Sequence, residues 1–107
     1  MTAQPEGATL DSMIERHITF TVEPDRAAEF ERFIAEQYGR AMAQAPGFVR
    51  IELLREADSL TRYQMCFRFR DADAAAGWRS SAEHTALQPE LKALTSAPEI
   101  QGYEVIG

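Results

Sequence analysis

Residues 14–23, IERHITFTVE, alternate in character. Ile14, Ile18, Phe20 and Val22 fall on one face, and Glu15, His17, Thr19, Thr21 and Glu23 on the other. Successive side chains of a strand point to opposite faces, so this stretch predicts a half-buried strand. Arg16 breaks the pattern: it is a charge on the apolar face. The period then changes. Ala27, Phe30, Phe33, Ile34, Tyr38, Ala41, Met42 and Ala45 recur at three- and four-residue steps, the signature of an amphipathic helix. Asp25, behind Pro24, is the expected N-cap, and Pro46-Gly47 the expected stop. Gly39 lies inside the helix at a cost of about 1 kcal/mol relative to Ala. It is either a point of close packing or a tolerated surface glycine.

Alternation returns at 48–55, FVRIELLR, and at 61–70, TRYQMCFRFR. Val49, Ile51 and Leu53 form one apolar face; Tyr63, Met65, Phe67 and Phe69 form the other. The connection EADSL suits a hairpin. Pairing residue 51 with residue 65 puts all these side chains on one face, and a one-residue slip would scatter them. DADAAAGW, 71–78, reads as a short helix with acids at its start. Ser80 followed by Glu83 fits a capping box, so a second helix restarts there with Ala86, Leu87, Leu91 and Leu94 inward. Pro89 kinks that helix or bounds its first turn. A last strand is expected over 98–107, weakened by Gly102. The order βαββαβ implies an α+β, ferredoxin-like fold: a four-stranded antiparallel sheet with helices on one face. The other face carries Glu15, His17, Thr19, Arg50, Glu52, Arg62, Gln64, Cys66 and Arg68. It meets either solvent or a partner.

At 107 residues the chain is expected to form one domain, over 13–107. Residues 1–12 are polar, with Pro, Gly, Ala and Thr, and read as a flexible leader without a signal peptide. No apolar run approaches a membrane span, which makes a cytoplasmic location the default. The formal net charge of −6 argues against nucleic acid and anionic membranes as partners. The single cysteine, Cys66, excludes an internal disulfide and reads as a half-buried structural thiol. No Cys/His spacing resembles a metal site.

VEPDRAAEFERF, APGFVRIELLR, YQMCFRFRDADAAAGWRSSAEHTAL and GYEVI, in this order, resemble the antibiotic biosynthesis monooxygenase family, the dimeric α/β barrels. The resemblance covers about residues 14–106, and it points to the superfamily better than to one reaction. It implies a homodimer packed sheet against sheet, with a ligand cleft in each subunit between sheet and helices. Members include cofactor-free oxygenases of aromatic polyketide phenols, haem-degrading enzymes and proteins of no known substrate. Trp78 matches a Trp of the haem-degrading members. However, Gln88 stands where they place the ligating His, and Arg16 near their strand-one Asn, so two of three markers are missing.

The candidate residues follow. His84 is the best general base the chain offers, because imidazole titrates near neutral pH; a position at the helix surface is its bland alternative. Arg16 is either salt-bridged or a cleft cation for a phenolate, carboxylate or enolate oxygen. Trp78 is a core anchor, an aromatic cleft wall, or both. Tyr63 and Phe33 are further candidates for contact with substrate, Tyr63 as a hydrogen-bond donor for which core or rim packing is the favoured alternative. Tyr103 could donate a hydrogen bond, and His17 faces the other side of the sheet. The leading expectation is a cofactor-independent monooxygenase of a small aromatic or polyketide-like substrate. The alternatives are a non-catalytic ligand-binding or stress-response module and, less favoured, a haem-degrading enzyme.

Overall fold

The computed structural model describes residues 12–107, so the expected leader lies almost wholly outside it. Strand β1 (Ile14–Thr21) is followed by a 3-10 turn (Pro24–Arg26) and a long helical stretch: α1 (Ala27–Phe33), a π segment (Ile34–Tyr38) and α2 (Gly39–Ala43). Next come β2 (Phe48–Arg55), β3 (Arg62–Phe69), α3 (Ala72–Arg79), α4 (Ala82–Leu94) and β4 (Ser96–Glu104). The strands form one antiparallel sheet in the order β2-β3-β1-β4, the ferredoxin-like arrangement.

The pairing of β2 with β3 differs from expectation by two residues. Ile51 lies opposite Phe67, and Leu53 opposite Met65. A shift of two preserves the faces, so the hydrophobic pattern alone could not detect it. The start of β2 differs more. The register shifts between Phe48 and Arg50, and Val49 is 43% exposed. Phe48 takes the inward position instead and packs edge-on against Phe69. A bulge of this kind re-aims one side chain. Gly47 sets it up, with a φ of +81° that side-chain-bearing residues avoid. A Cβ there would lie 2.5 Å from the Ala74 Cβ, so the glycine also lets α3 approach the turn.

The long helix is not regular throughout. Its π segment ends at Tyr38, and the Gly39 N–H bonds back to the Ile34 carbonyl. A Cβ on Gly39 would sit 2.9 Å from that same oxygen. Gly39 is therefore a close approach, not a surface glycine. Asp25 lies within the 3-10 turn and makes no capping hydrogen bond; Arg26 precedes α1 instead.

The second helix of the pair, α4, starts one residue later than the Ser80–Glu83 box implies. Asp71 caps α3 by accepting from the Ala74 N–H at 2.8 Å. Ser80 closes α3, and Ser81 caps α4 by accepting from the His84 N–H at 3.1 Å. The Ser81 hydroxyl donates in turn to the Trp78 carbonyl at 2.7 Å, so one side chain joins both helix ends. Pro89 lies inside α4, which runs on to Leu94. The core fills the space between helices and sheet, with Phe30, Met42, Met65 and Phe69 wholly enclosed. Among the described residues no helix is long and apolar enough to cross a membrane.

Candidate functional site

A cavity of about 220 Å³ opens between the inner face of the sheet and the helices α3 and α4. Alternation on β1 delivers Arg16, Ile18 and Phe20 to it, and Phe67 joins them as the cross-strand partner of Arg16. Tyr38 enters from the end of the π segment; such wide turns often mark functional positions. Ala75, Trp78 and Arg79 come from α3, and His84, Gln88, Leu91 and Lys92 from α4. Thr95, Pro98 and Ile100 border the cavity from the far end of α4 and from β4.

Three rings form its inner wall. Tyr38 meets Trp78 edge to face at 5.7 Å, and Trp78 meets His84 at 5.4 Å and 83°. Trp78 is 3% exposed and Tyr38 2%. Trp78 is thus part of the core and also borders the cavity. The indole N–H is buried without a hydrogen bond of good geometry. Burial raises the pKa of Tyr38 above its ordinary 10.0, while the neighbouring Trp78 and Gln88 draw it back in part. Tyr38 is accordingly a phenol, able to donate, at neutral pH.

His84 is the third residue of α4, fixed there by the Ser81 cap. Its Nε2 lies 3.2 Å from the Gln88 amide nitrogen. That nitrogen only donates, so Nε2 accepts and the imidazole carries its proton on Nδ1. Burial lowers the pKa of His84 below 6.5, and the positive charge of Arg79 lowers it further. Geometry and electrostatics agree on a neutral imidazole that presents a lone pair beside the cavity.

Arg16 is half-buried and has no carboxylate partner among the described residues. Burial lowers its pKa, and Arg79 adds to the effect; the guanidinium nonetheless stays charged. Of the residues expected at the site, Arg16, Trp78 and His84 thus line one cavity. Tyr63 and Phe33 do not. Tyr63 is 2% exposed, meets Phe30 edge to face and donates to the Glu31 carboxylate. Phe33 is enclosed in the core behind the Tyr38 ring. Tyr38, Arg79, Gln88 and Lys92 join the site without having been expected there from the sequence. Tyr38 read as one more inward residue of the helix. Gln88 stood out only by comparison with haem ligands, although its four-residue spacing from His84 places the two on one helix face. Among the described residues, no three His, Cys, Asp or Glu side chains converge on a metal-sized site.

The outer face of the sheet is built differently. The Glu15 carboxylate accepts from Arg68 Nε at 2.6 Å and from His17 Nε2 at 2.9 Å, with Arg50 Nη1 at 4.0 Å. Arg50 also donates to Glu52 at 2.7 Å. The His17 bond holds the Glu15 pKa below 4.5 against the cost of burial, and Arg68 assists. His17 lies against the Tyr103 ring, at 4.8 Å. Cys66 is 4% exposed, and burial raises its pKa, so it is an inert thiol at neutral pH.

The family model described as antibiotic biosynthesis monooxygenase matches residues 13–90, and the chain belongs to that family. Among solved structures, the cofactor-independent oxygenase SnoaB of Streptomyces nogalater is 28% identical. The match covers 90% of this chain and 95% of that one, with a TM-score of 0.79. A candidate antibiotic biosynthesis monooxygenase from Caulobacter crescentus has a TM-score of 0.82 at 22% identity, covering 95% and 97% of the two chains. One from Bordetella bronchiseptica has a TM-score of 0.77 at 21% identity, covering 89% and 98%. These last two likenesses concern the fold alone. No curated protein matches the sequence significantly.

Proposed function

We propose that the chain is a cofactor-independent monooxygenase of a small aromatic or polyketide-like substrate. The observation that carries the reading is the convergence of Arg16, Trp78 and His84 on one largely apolar cavity. The likeness to SnoaB, a cofactor-independent oxygenase, supports it. In the proposed reaction a ring-bound CH₂ or phenol is deprotonated at His84 Nε2, where the substrate takes the place of the Gln88 amide. The resulting oxyanion is held by Arg16, and its ring lies against Trp78. An enolate or phenolate donates an electron to dioxygen far more readily than its conjugate acid does. For an anthrone-type substrate, oxidation of CH₂ to C=O releases four electrons. These reduce dioxygen to the new carbonyl oxygen and one water, so the substrate itself serves as the reductant. Burial and the Arg79 charge hold His84 neutral at neutral pH, so its lone pair is available to take the proton.

The test is oxygen uptake by the purified protein with a panel of anthrones and quinols. Uptake above the buffer rate that falls at least about tenfold in His84→Gln is expected. A rate no higher than buffer across the panel rejects the reading. A ligand retained on purification without turnover would then favour the non-catalytic binding module. A Soret shift on haem titration would instead favour the haem-degrading alternative.

The same reading assigns the outer sheet face to a homodimer. Its cations are neutralised within the sheet, and Tyr103 and Leu54 add exposed apolar surface there. Sedimentation at low micromolar concentration should give a species of twice the 12.0 kDa chain mass. A 12.0 kDa species alone contradicts the assignment.

A further inference from the structure

The cavity carries more positive charge than one oxyanion held at Arg16 requires. Arg16, Arg79 and Lys92 border it, and no Asp or Glu does. The chain as a whole carries 17 acidic against 11 basic side chains, so a wall with three cations and no acid runs against its composition. None of the three forms an ion pair among the described residues. Arg79 and Lys92 stand in the last turns of α3 and α4, where the helix dipole offsets part of the cost of a cation. Arg16 has no such compensation. It sits half-buried on a strand, opposite Phe67, with Ile18 and Phe20 following on the same face. Bringing like charges together without a counter-ion is unfavourable. A bound anion removes that cost.

We infer that the substrate carries a permanent carboxylate in addition to the ring that lies on Trp78: Arg79 and one edge of the Arg16 guanidinium clamp it, with Lys92 at the rim, and the remaining Arg16 N–H groups face the ring oxyanion. Guanidinium fits this group best, because its planar fork matches a carboxylate with two parallel hydrogen bonds. The assignment rests on the oxygenase reading only for the aromatic ring; the anion site itself needs no turnover. A carboxylate held at Arg16 and Arg79 would also orient the ring, since Tyr38, Trp78 and His84 line the same cavity.

Calorimetric titration of the intact protein with 1-hydroxy-2-naphthoate, its methyl ester and 1-naphthol tests the clamp without dioxygen chemistry. The acid should bind about tenfold or more tightly than the ester or the naphthol. Raising ionic strength from about 0.01 M to about 0.1 M should weaken the acid and leave the ester nearly unchanged. Arg79→Gln, at an exposed position that leaves the core intact, should close most of the gap, and Arg16→Gln should do the same. Equal affinity for acid and ester overturns the inference. So does naphthol binding as tightly as the acid, which would assign the cations to a ring oxyanion instead. An acid preference untouched in both arginine variants overturns it as well. If the acid binds through the arginines but no substrate consumes oxygen, the oxygenase reading fails and the carboxylate clamp stands.

Discussion

Glu15 and Arg16 are consecutive residues on one strand, and they meet opposite fates. Glu15 points to the outer face, where Arg68 and His17 bond its carboxylate and Arg50 stands close by. Arg16 points to the inner face, beside a cavity with two more cations and no acid. On the outer face the cations are paired within the chain, although Arg50 Nη1 is buried without a hydrogen bond; on the inner face Arg16, Arg79 and Lys92 form no ion pair among the described residues. Burial of a charge is costly without a partner, and the proposed function accounts for the stability forgone on the unpaired side. The outer network is what a sheet face needs if it is to be covered by a second copy.

The largest effect should come from the inner wall. Trp78→Ala removes the ring shared by core and cavity, and it should cost about 3–5 kcal/mol in chemical denaturation. A loss under about 1 kcal/mol would mean the indole is not packed as described. Glu15→Gln should cost about 1–3 kcal/mol at neutral pH, through lost charge-assisted hydrogen bonds to Arg68 and His17. Because the folded-state pKa of Glu15 is depressed, this contribution is present above 4.5 and lost as pH falls through the lower folded value. Denaturation curves of variant and parent should therefore converge only below pH 4.5. A gap that stays constant through acid would show that the carboxylate is not the source.

Ser81→Ala should cost about 1 kcal/mol by removing the cap of α4. It should also impair turnover, because the same hydroxyl fixes His84 relative to Trp78. The smallest effect has the opposite sign. Arg16→Met should leave stability unchanged or raise it by up to about 1 kcal/mol, while weakening acid binding. A clear destabilisation would mean that Arg16 has a structural partner, and the contrast between the two faces would collapse. In turnover, the acid limb of kcat/KM should lie below pH 6.5, because the proposed base is His84 and its pKa is lowered by burial and by Arg79.

Much of this contrast was written in the alternation of the strands. Arg16 announced itself as the one charge on an apolar face, and the polar set from Glu15 to Arg68 separated cleanly from the core. Who pairs with Glu15 was not legible, because that depends on cross-strand register. The hydrophobic pattern specifies register only to within two residues. The first turn of β2 was ambiguous for a related reason. Phe48 and Val49 are both apolar, and Gly47 and Phe69 decide between them. At Ser80-Ser81 both serines have a suitable spacing, and the local pattern favoured the one followed by Glu83. The closure of α3 by Ser80 settles the matter for Ser81. Tyr38 stayed hidden because an aromatic at helical spacing looks the same whether it meets core or cavity. Only the π segment, which no periodicity reveals, turns it toward Trp78.

The most direct measurement of the oxygenase reading is product mass after turnover under isotopically heavy dioxygen. A monooxygenase of the proposed kind should place one heavy oxygen atom in the product and the other in water, with no added reductant. Unlabelled product, or no dioxygen consumed by any anthrone or quinol bearing a carboxylate, would contradict it.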